Sequence, residues 1–458
     1  MHEGLRMRII IVGCGKIGTT IISSLVSEGH DVVAVDSNRD AVDNVGNIYD
    51  VMCLCGNGVD CETLSEAEVE KAELFVAVTG SDEFNMLSCY IARSMGAKHT
   101  VARIRNPEYN DKSLSFMRQQ LEISVALNPE LFTAQEIFNT LKLQAAVNIE
   151  TFSRRNLEMV DLILDRDSRI DGLSLSELRK KYRANYLIAA VRRENEVIIP
   201  GGSFVLRRGD KIGLVAAPSE VQKLLKMLGF EQKQARSVII LGASMTAFYL
   251  AKMLIASGNA VKIIDKDEER CREFADSLPE AVVIHGDGAE QELLIEEGIA
   301  SADAFVTLTG IDEENILISF FAASQKVPKI ITKVNRSELA AMAEKLGLTS
   351  IVSPKKIVSD ILTRYARALK NSLGSNVETL YKLMDSSVEA LEFNVSDDFV
   401  GLNIPLKEMK FKPNLIIAGI IRKRKPIIPS GDDRILPGDK VVVVAAGQKF
   451  IDLSDILM

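Results

Sequence analysis

The run Gly13-Cys14-Gly15-Lys16-Ile17-Gly18 follows the apolar stretch IIIV at 9–12 and leads into residues of helical periodicity, and Asp36 closes the next apolar run about twenty residues on. Glycines at that spacing let backbone N–H groups approach a phosphate. Gly13 permits a tight turn, Gly15 close backbone approach and Gly18 close packing of a helix on a strand, while the helix N-terminus favours an anion. Asp36 can accept hydrogen bonds from a ribose 2′-hydroxyl and repels a 2′-phosphate, so the pattern favours NAD or ATP/ADP over NADP. Cys14 and Ile17 complete the turn. Lys16 either reaches a phosphate or extends into solvent from the first helical turn. Thr79, Asp82, Glu83 and Asn85 follow the run LFVAVT, where ligands of open α/β sheets collect, with Thr79 the stronger candidate and the acids suited to a helix N-terminus. Arg103 and Arg105 are strand-end cations able to neutralise a phosphate or an interface carboxylate.

The same constellation recurs. Gly13 corresponds to Gly242 and Asp36 to Asp265, 229 positions on; Gly56-Asn57-Gly58 corresponds to Gly286-Asp287-Gly288 and Thr79 to Thr309, 230 positions on. The chain is therefore a tandem duplication. The copies differ, because Gly15 becomes Ser244 and Gly18 becomes Ala247. The second site is expected to be weaker or to prefer another nucleotide, and Met245 and Phe248 are expected to pack.

These residues need strands separated by helices of about ten residues, and the sequence supplies them. Short β-branched runs alternate with amphipathic stretches over 7–128, as βαβ units of a parallel sheet require. Residues 129–147 read as a connector helix, and 148–228 as a small α+β domain with short strands, a helix near 176–181 and turns at Asp171-Gly172 and Gly209-Asp210. The second copy gives a sheet domain over 235–353, a connector over 354–375 and an α+β domain over 378–458. The expected fold class is α/β: two Rossmann-like doubly wound parallel-sheet domains, each followed by a small α+β domain.

The bulk composition excludes several functions. With 55 Lys and Arg against 63 Asp and Glu, the net charge of −8 opposes a dedicated nucleic-acid binder, and no nucleic-acid partner is expected. Apolar stretches fall short of the roughly 18–20 residues of a membrane span, and the N-terminal residues lack a signal-peptide pattern, so a cytoplasmic location is expected. The six cysteines follow no secreted pattern; Cys53, Cys55 and Cys61 are either a soft-metal or redox cluster or ordinary small apolar residues. Four histidines (His2, His30, His99 and His285) lie outside any metalloprotease spacing, and no nucleophile elbow or P-loop occurs. No catalytic residue and no metal site is expected. An NAD-dependent dehydrogenase is the enzymatic alternative.

The series VGCGKIG, VVAVD, CGNG, VAVTGSDEFN and VARI, followed by GLSLSEL and LRRGDKI, resembles an RCK (KTN) nucleotide-binding domain joined to its RCK-C domain. Two such pairs in one chain are similar to the TrkA family of Trk-type potassium uptake regulators, across essentially the whole sequence. The resemblance implies a non-catalytic regulatory subunit that forms a gating ring, a homotetramer of eight RCK units, on the cytoplasmic face of a potassium-transporting membrane subunit. It implies NAD(H) as ligand, with ATP or ADP as the alternative. By the same resemblance Gly13, Gly15, Gly18 and Thr79 lie at the phosphates, Asp36 at the adenine ribose, Asn57 and Gly58 near the adenine, and Arg103 at a basic strand end. Gly242, Asp265, Asp287, Gly288 and Thr309 are the corresponding second-site residues. Asn57 departs from the usual Asp of a G-D-G turn, which Asp287 keeps. The connectors are expected to be crossover helices through which Rossmann units exchange contacts.

Overall fold

The computed structural model describes residues 6–458 except 110, 144, 153–155, 165–167, 183, 195, 231–234, 372–376, 384–387, 449 and 451. The first sheet comprises β1 (Arg8–Val12), β2 (Asp31–Asp36), β3 (Met52–Cys55), β4 (Leu74–Ala77), β5 (Thr100–Arg103) and β6 (Val125–Leu127). They pair in parallel in the order β3-β2-β1-β4-β5-β6. Helices α1 (Lys16–Ser27), α2 (Arg39–Ile48), α3 (Cys61–Glu66), α4 (Asp82–Ser94) and α5 (Asp111–Gln120) make the crossovers. This is the doubly wound order. It places a crevice where β1 and β4 diverge, at the carboxyl ends of the strands. Ile9, Ile10, Ile11, Phe75 and Val76 are fully buried, as strands covered on both faces must be.

The first connector, α6 (Pro129–Lys142), leads into an antiparallel sheet of β7 (Ala146–Phe152), β8 (Leu157–Ile163), β9 (Tyr186–Arg193), β10 (Glu196–Ile198) and β11 (Lys211–Ala216), ordered β10-β9-β11-β8-β7. Helices α7 (Leu175–Lys181) and α8 (Pro218–Leu228) cover one face. Ser174 starts α7 with a capping box closed by Glu177.

The second half repeats the plan. Strands β12 (Ser237–Leu241), β13 (Ala260–Asp265), β14 (Val282–His285), β15 (Ala304–Thr307), β16 (Lys329–Lys333) and β17 (Ile351–Val352) alternate with α9 (Met245–Ala256), α10 (Glu268–Ser277), α11 (Gln291–Glu296), α12 (Asp312–Ser324) and α13 (Ser337–Lys345). Their order is β14-β13-β12-β15-β16-β17. After α14 (Pro354–Asn371) come β18 (Val377–Leu383), β19 (Val388–Asn394), β20 (Leu415–Arg422), β21 (Lys425–Ile427) and β22 (Lys440–Ala446), ordered β18-β19-β22-β20-β21. Residues 372–375 of the expected second connector lie outside the described residues.

Two compact units result: 1–135 with 352–366, and 136–351 with 367–458. In the first, α14 lies on the first Rossmann domain although it follows the second in sequence. Ser24 and Thr363 share a hydrogen bond of 2.9 Å, and Tyr365 meets His99 edge to face at 6.4 Å. In the second, the two antiparallel sheets share an apolar core: Phe152, Leu157 and Met159 from one, Val388, Ala390 and Val442 from the other. A side chain at Gly419 would run into Leu157, at 2.5 Å. The other face of the first sheet is covered by α7 and α8, and that of the second by Phe399, Leu406, Phe450, Leu453 and Ile456 from loops and short 3-10 turns, so the α-helix expected in the second α+β domain has no counterpart among the described residues.

Lys329 opens β16 at 5% exposure and donates to the carbonyl of Ala146 and to the Ser350 hydroxyl, the latter at 3.0 Å, tying the start of β7 to the second Rossmann sheet. Burial pulls its pKa down to about 7 from 10.5. Between those values the unfolded chain holds the extra proton. Stability from this group therefore rises with pH across about 7 to 10.5, by at most ~1.4 kcal/mol per pH unit, and is flat below. Lys329→Met is expected to remove that slope. Denaturant midpoints of variant and wild type at about pH 7 and about pH 9.5 check this, and identical pH dependence would contradict it.

Candidate nucleotide site

The first site grows from the end of β1. Gly13 has φ +106°, and a Cβ there would lie 3.0 Å from the Val78 carbonyl carbon, so the turn demands glycine. A Cβ on Gly18 would lie 1.8 Å from the Gly13 oxygen. Gly15 differs from both. Its φ of −70° suits any residue, and a Cβ would meet nothing within 4 Å. The fold therefore does not need glycine there. Gly15 is the N-cap of α1 and makes no side-chain cap, which leaves the first-turn amides to a ligand. Lys16 is exposed on that turn and Ile17 half-buried.

Asp36 ends β2 and is fixed by its neighbours. One carboxylate oxygen accepts from the Cys14 amide at 2.6 Å, the other from the Asn38 amide at 2.8 Å. The carboxylate thereby braces the glycine turn while keeping lone pairs for a sugar hydroxyl. Cys14 contributes its backbone to this brace. Its thiol is buried, and burial beside Asp36 pushes its pKa up to about 12, which leaves it unreactive at neutral pH.

Opposite, Gly58 follows β3, and its missing Cβ makes room for Val12, at 2.3 Å. Asn57 is exposed, and its Oδ1 accepts from the Val59 amide at 3.2 Å; Asp287 does the same for Ala289 at 2.9 Å. Asn and Asp are equivalent in that turn, which accounts for the substitution. Thr79 donates through its hydroxyl to Asn85 Oδ1 at 2.7 Å, and its amide donates to the same oxygen at 2.8 Å. Asn85 is fully buried and donates on to the Arg103 carbonyl at 2.9 Å, joining β4, α4 and β5 under the site. Sequence reasoning ranked Thr79 above Asn85. The repeat carried the missing signal, since Asn315 holds Thr309 and the Lys333 carbonyl in the same way. Asp82 does more than favour a helix N-terminus: it is buried and accepts the amides of Arg105 and Asn106, at 2.7 and 2.8 Å.

Arg103 pairs with Glu130 on α6 at 3.2 Å. Burial lowers its pKa from the ordinary arginine value. Its Nε and Glu130 Oε2 are buried with no hydrogen-bond partner among the described residues. The strand-end cation thus pairs with the connector helix in this structure.

The second site keeps the frame. Gly242 has φ +100°, Asp265 accepts from the amides of Ala243 at 2.5 Å and Asp267 at 2.9 Å, and a Cβ on Gly288 would strike Leu241 at 2.0 Å. A cavity of about 230 Å³ lies among these residues and Thr309. Among the described residues, no group of three or more His, Cys, Asp or Glu is arranged to hold a metal ion, and no helix is long and apolar enough to cross a membrane.

Known proteins share this organisation. The TrkA-N domain family matches residues 9–128 and 238–354, and the TrkA-C domain family matches 159–229 and 391–458. The Trk system potassium uptake protein TrkA homolog 1 of Methanosarcina mazei is 31% identical over 445 residues, covering 95% of this chain and 97% of its own. The Trk system potassium uptake protein TrkA homolog of Archaeoglobus fulgidus is 31% identical over 451 residues, covering 98% and 100%. The solved GsuK channel bound to NAD has the same fold at 18% identity, with a TM-score of 0.63 over 98% of this chain and 78% of that one. Duplicated nucleotide frame, duplicated antiparallel domain and full-length relatives agree: the chain belongs to the TrkA family of Trk system potassium uptake proteins.

Proposed function

We propose that the chain is the nucleotide-sensing regulatory subunit of a Trk-type potassium uptake system and that its first Rossmann domain is the principal sensor. The observation that carries this reading is Gly15, a glycine the fold does not require, on an uncapped helix N-terminus beside the Asp36 carboxylate that braces the turn. The ligand is NAD(H), with ATP or ADP as the alternative; a GsuK channel has been solved with NAD and another with ADP. The chain assembles as a homotetramer, a ring of eight RCK units, on the cytoplasmic face of the potassium-transporting membrane subunit. It performs no catalysis.

Regulation requires a ligand that binds one ring conformation better than another. A differential affinity of about 1–3 kcal/mol per site suffices to bias the transporter, and a ligand indifferent to conformation shifts nothing. The Arg103–Glu130 pair links the strand end below the site to the connector helix, so a phosphate that draws Arg103 away acts directly on α6.

Calorimetric titration of the full chain with NADH, NAD, ATP and ADP, paired with potassium uptake in cells carrying the matching membrane subunit, tests the reading. Binding of at least one nucleotide, with uptake that follows its level, is expected. Absence of binding by all four would overturn it, and NADH turnover with a substrate would favour a dehydrogenase.

A further inference from the structure

We infer that the second Rossmann pocket has become a nucleoside site that discriminates against 5′-phosphates. The inference rests on the nucleotide reading of the first site and concerns how the second departs from it. Three changes fall on the side where the phosphates of a nucleotide would lie.

Ser244 replaces Gly15 and caps its own helix, its Oγ accepting from the Ala247 amide. A donor that the first site leaves open is thereby used up within the protein. Met245 replaces Lys16, removing a cation from the turn. Glu314 replaces Phe84, and its carboxylate lines the cavity, with Thr309 Oγ1 at 3.4 Å from its Oε2. A carboxylate facing the place of a pyrophosphate repels it, and all three changes act in the same direction.

The sugar and base side keeps its acceptor and gains two cations, Lys266 and Arg270, where the first half has Ser37 and Ala41; Arg270 pairs with Asp267 at 3.4 Å. Asp265 is held by two backbone amides as Asp36 is, and Asp287 and Gly288 keep their turn. Leu241, Ile264 and Leu308 give the cavity apolar walls suited to a flat base. A site that keeps its ribose acceptor and apolar walls, while closing the anion donor beside the glycine turn and leaving its two cations next to Asp265, favours a nucleoside over its 5′-phosphates.

The test uses the full chain with the first site disabled by Asp36→Ala, and in parallel by Gly13→Asp, titrated calorimetrically with adenosine, AMP and ADP. Adenosine is expected to bind once per chain and ADP about tenfold or more weakly. Adding Ser244→Gly and Glu314→Phe is expected to reverse that order. Glu314→Gln, which keeps shape and removes charge, is expected to narrow the gap by itself. Failure of adenosine to bind, or ADP binding as tight as adenosine, would overturn the inference. Failure of the first-site reading is separate, because it appears as a wild-type chain that binds no nucleotide.

Discussion

Asp36→Ala is expected to weaken nucleotide binding to the first site by about a hundredfold and to abolish nucleotide-dependent potassium uptake. The carboxylate is positioned by two amides before any ligand arrives, so its hydrogen bonds to a ribose need no reorganisation. Bonds to a charged group contribute about 1.5–3 kcal/mol each, and two of them account for an effect of this size. The variant also leaves the buried Cys14 region without its brace, at a cost of about 1–2 kcal/mol in stability. A melt of the ligand-free chain measures that cost separately. Asp36→Asn, which retains one acceptor oxygen, is expected to fall between variant and wild type in both measurements. Asp265→Ala is expected to leave ADP binding to the first site unchanged. Equal affinity of Asp36→Ala and wild type would remove Asp36 from the site.

Gly13→Asp is expected to eliminate measurable nucleotide binding and to lower stability by about 2–4 kcal/mol. Its φ of +106° disfavours any side chain, and the Cβ would press on Val78 at 3.0 Å and on the Thr79 amide at 3.1 Å, the strand end that closes the crevice. The new carboxylate would add a like charge beside the phosphates. Gly242, with φ +100° and Leu308 at 2.9 Å, is under the same constraint. Gly242→Asp should therefore cost similar stability while leaving first-site affinity intact. Melting curves combined with calorimetry separate the two, and a Gly13→Asp chain that binds normally would contradict the assignment.

Much of the architecture was legible in the sequence because its signals were local. The continuous apolar runs at 9–12 and 74–78, the glycine turn and the following acid define a doubly wound sheet, and a second appearance about 230 residues later leaves little else to fit. Long-range contacts were less visible. The resemblance implied that the connector would carry contacts between Rossmann units, but nothing in Thr363 or Tyr365 identifies Ser24 and His99 as its partners. The shared core of the two antiparallel sheets left a faint trace. Runs such as IGLVA at 212–216 and VVVVAA at 441–446 are apolar throughout, where a sheet with one wet face would alternate. Arg103 ends β5, as its place in the run VARI implies, but its partner Glu130 lies 27 positions away on a helix, which spacing alone could not identify.

The duplication is therefore one frame with two different helix N-caps. Both copies keep the turn glycine, the braced acid and the Thr–Asn link, and they differ at the helix N-cap, Gly15 in one and Ser244 in the other. Gly15→Ser tests that difference most directly, because it installs in the first site what the second already has. Serine is a preferred N-cap, so the melting temperature of the ligand-free chain should stay equal or rise slightly. Affinity for NADH and ADP should fall by about tenfold or more as the helix N-terminus turns to its own side chain. Undiminished affinity for NADH and ADP, or a clearly lower melting temperature, would contradict the account.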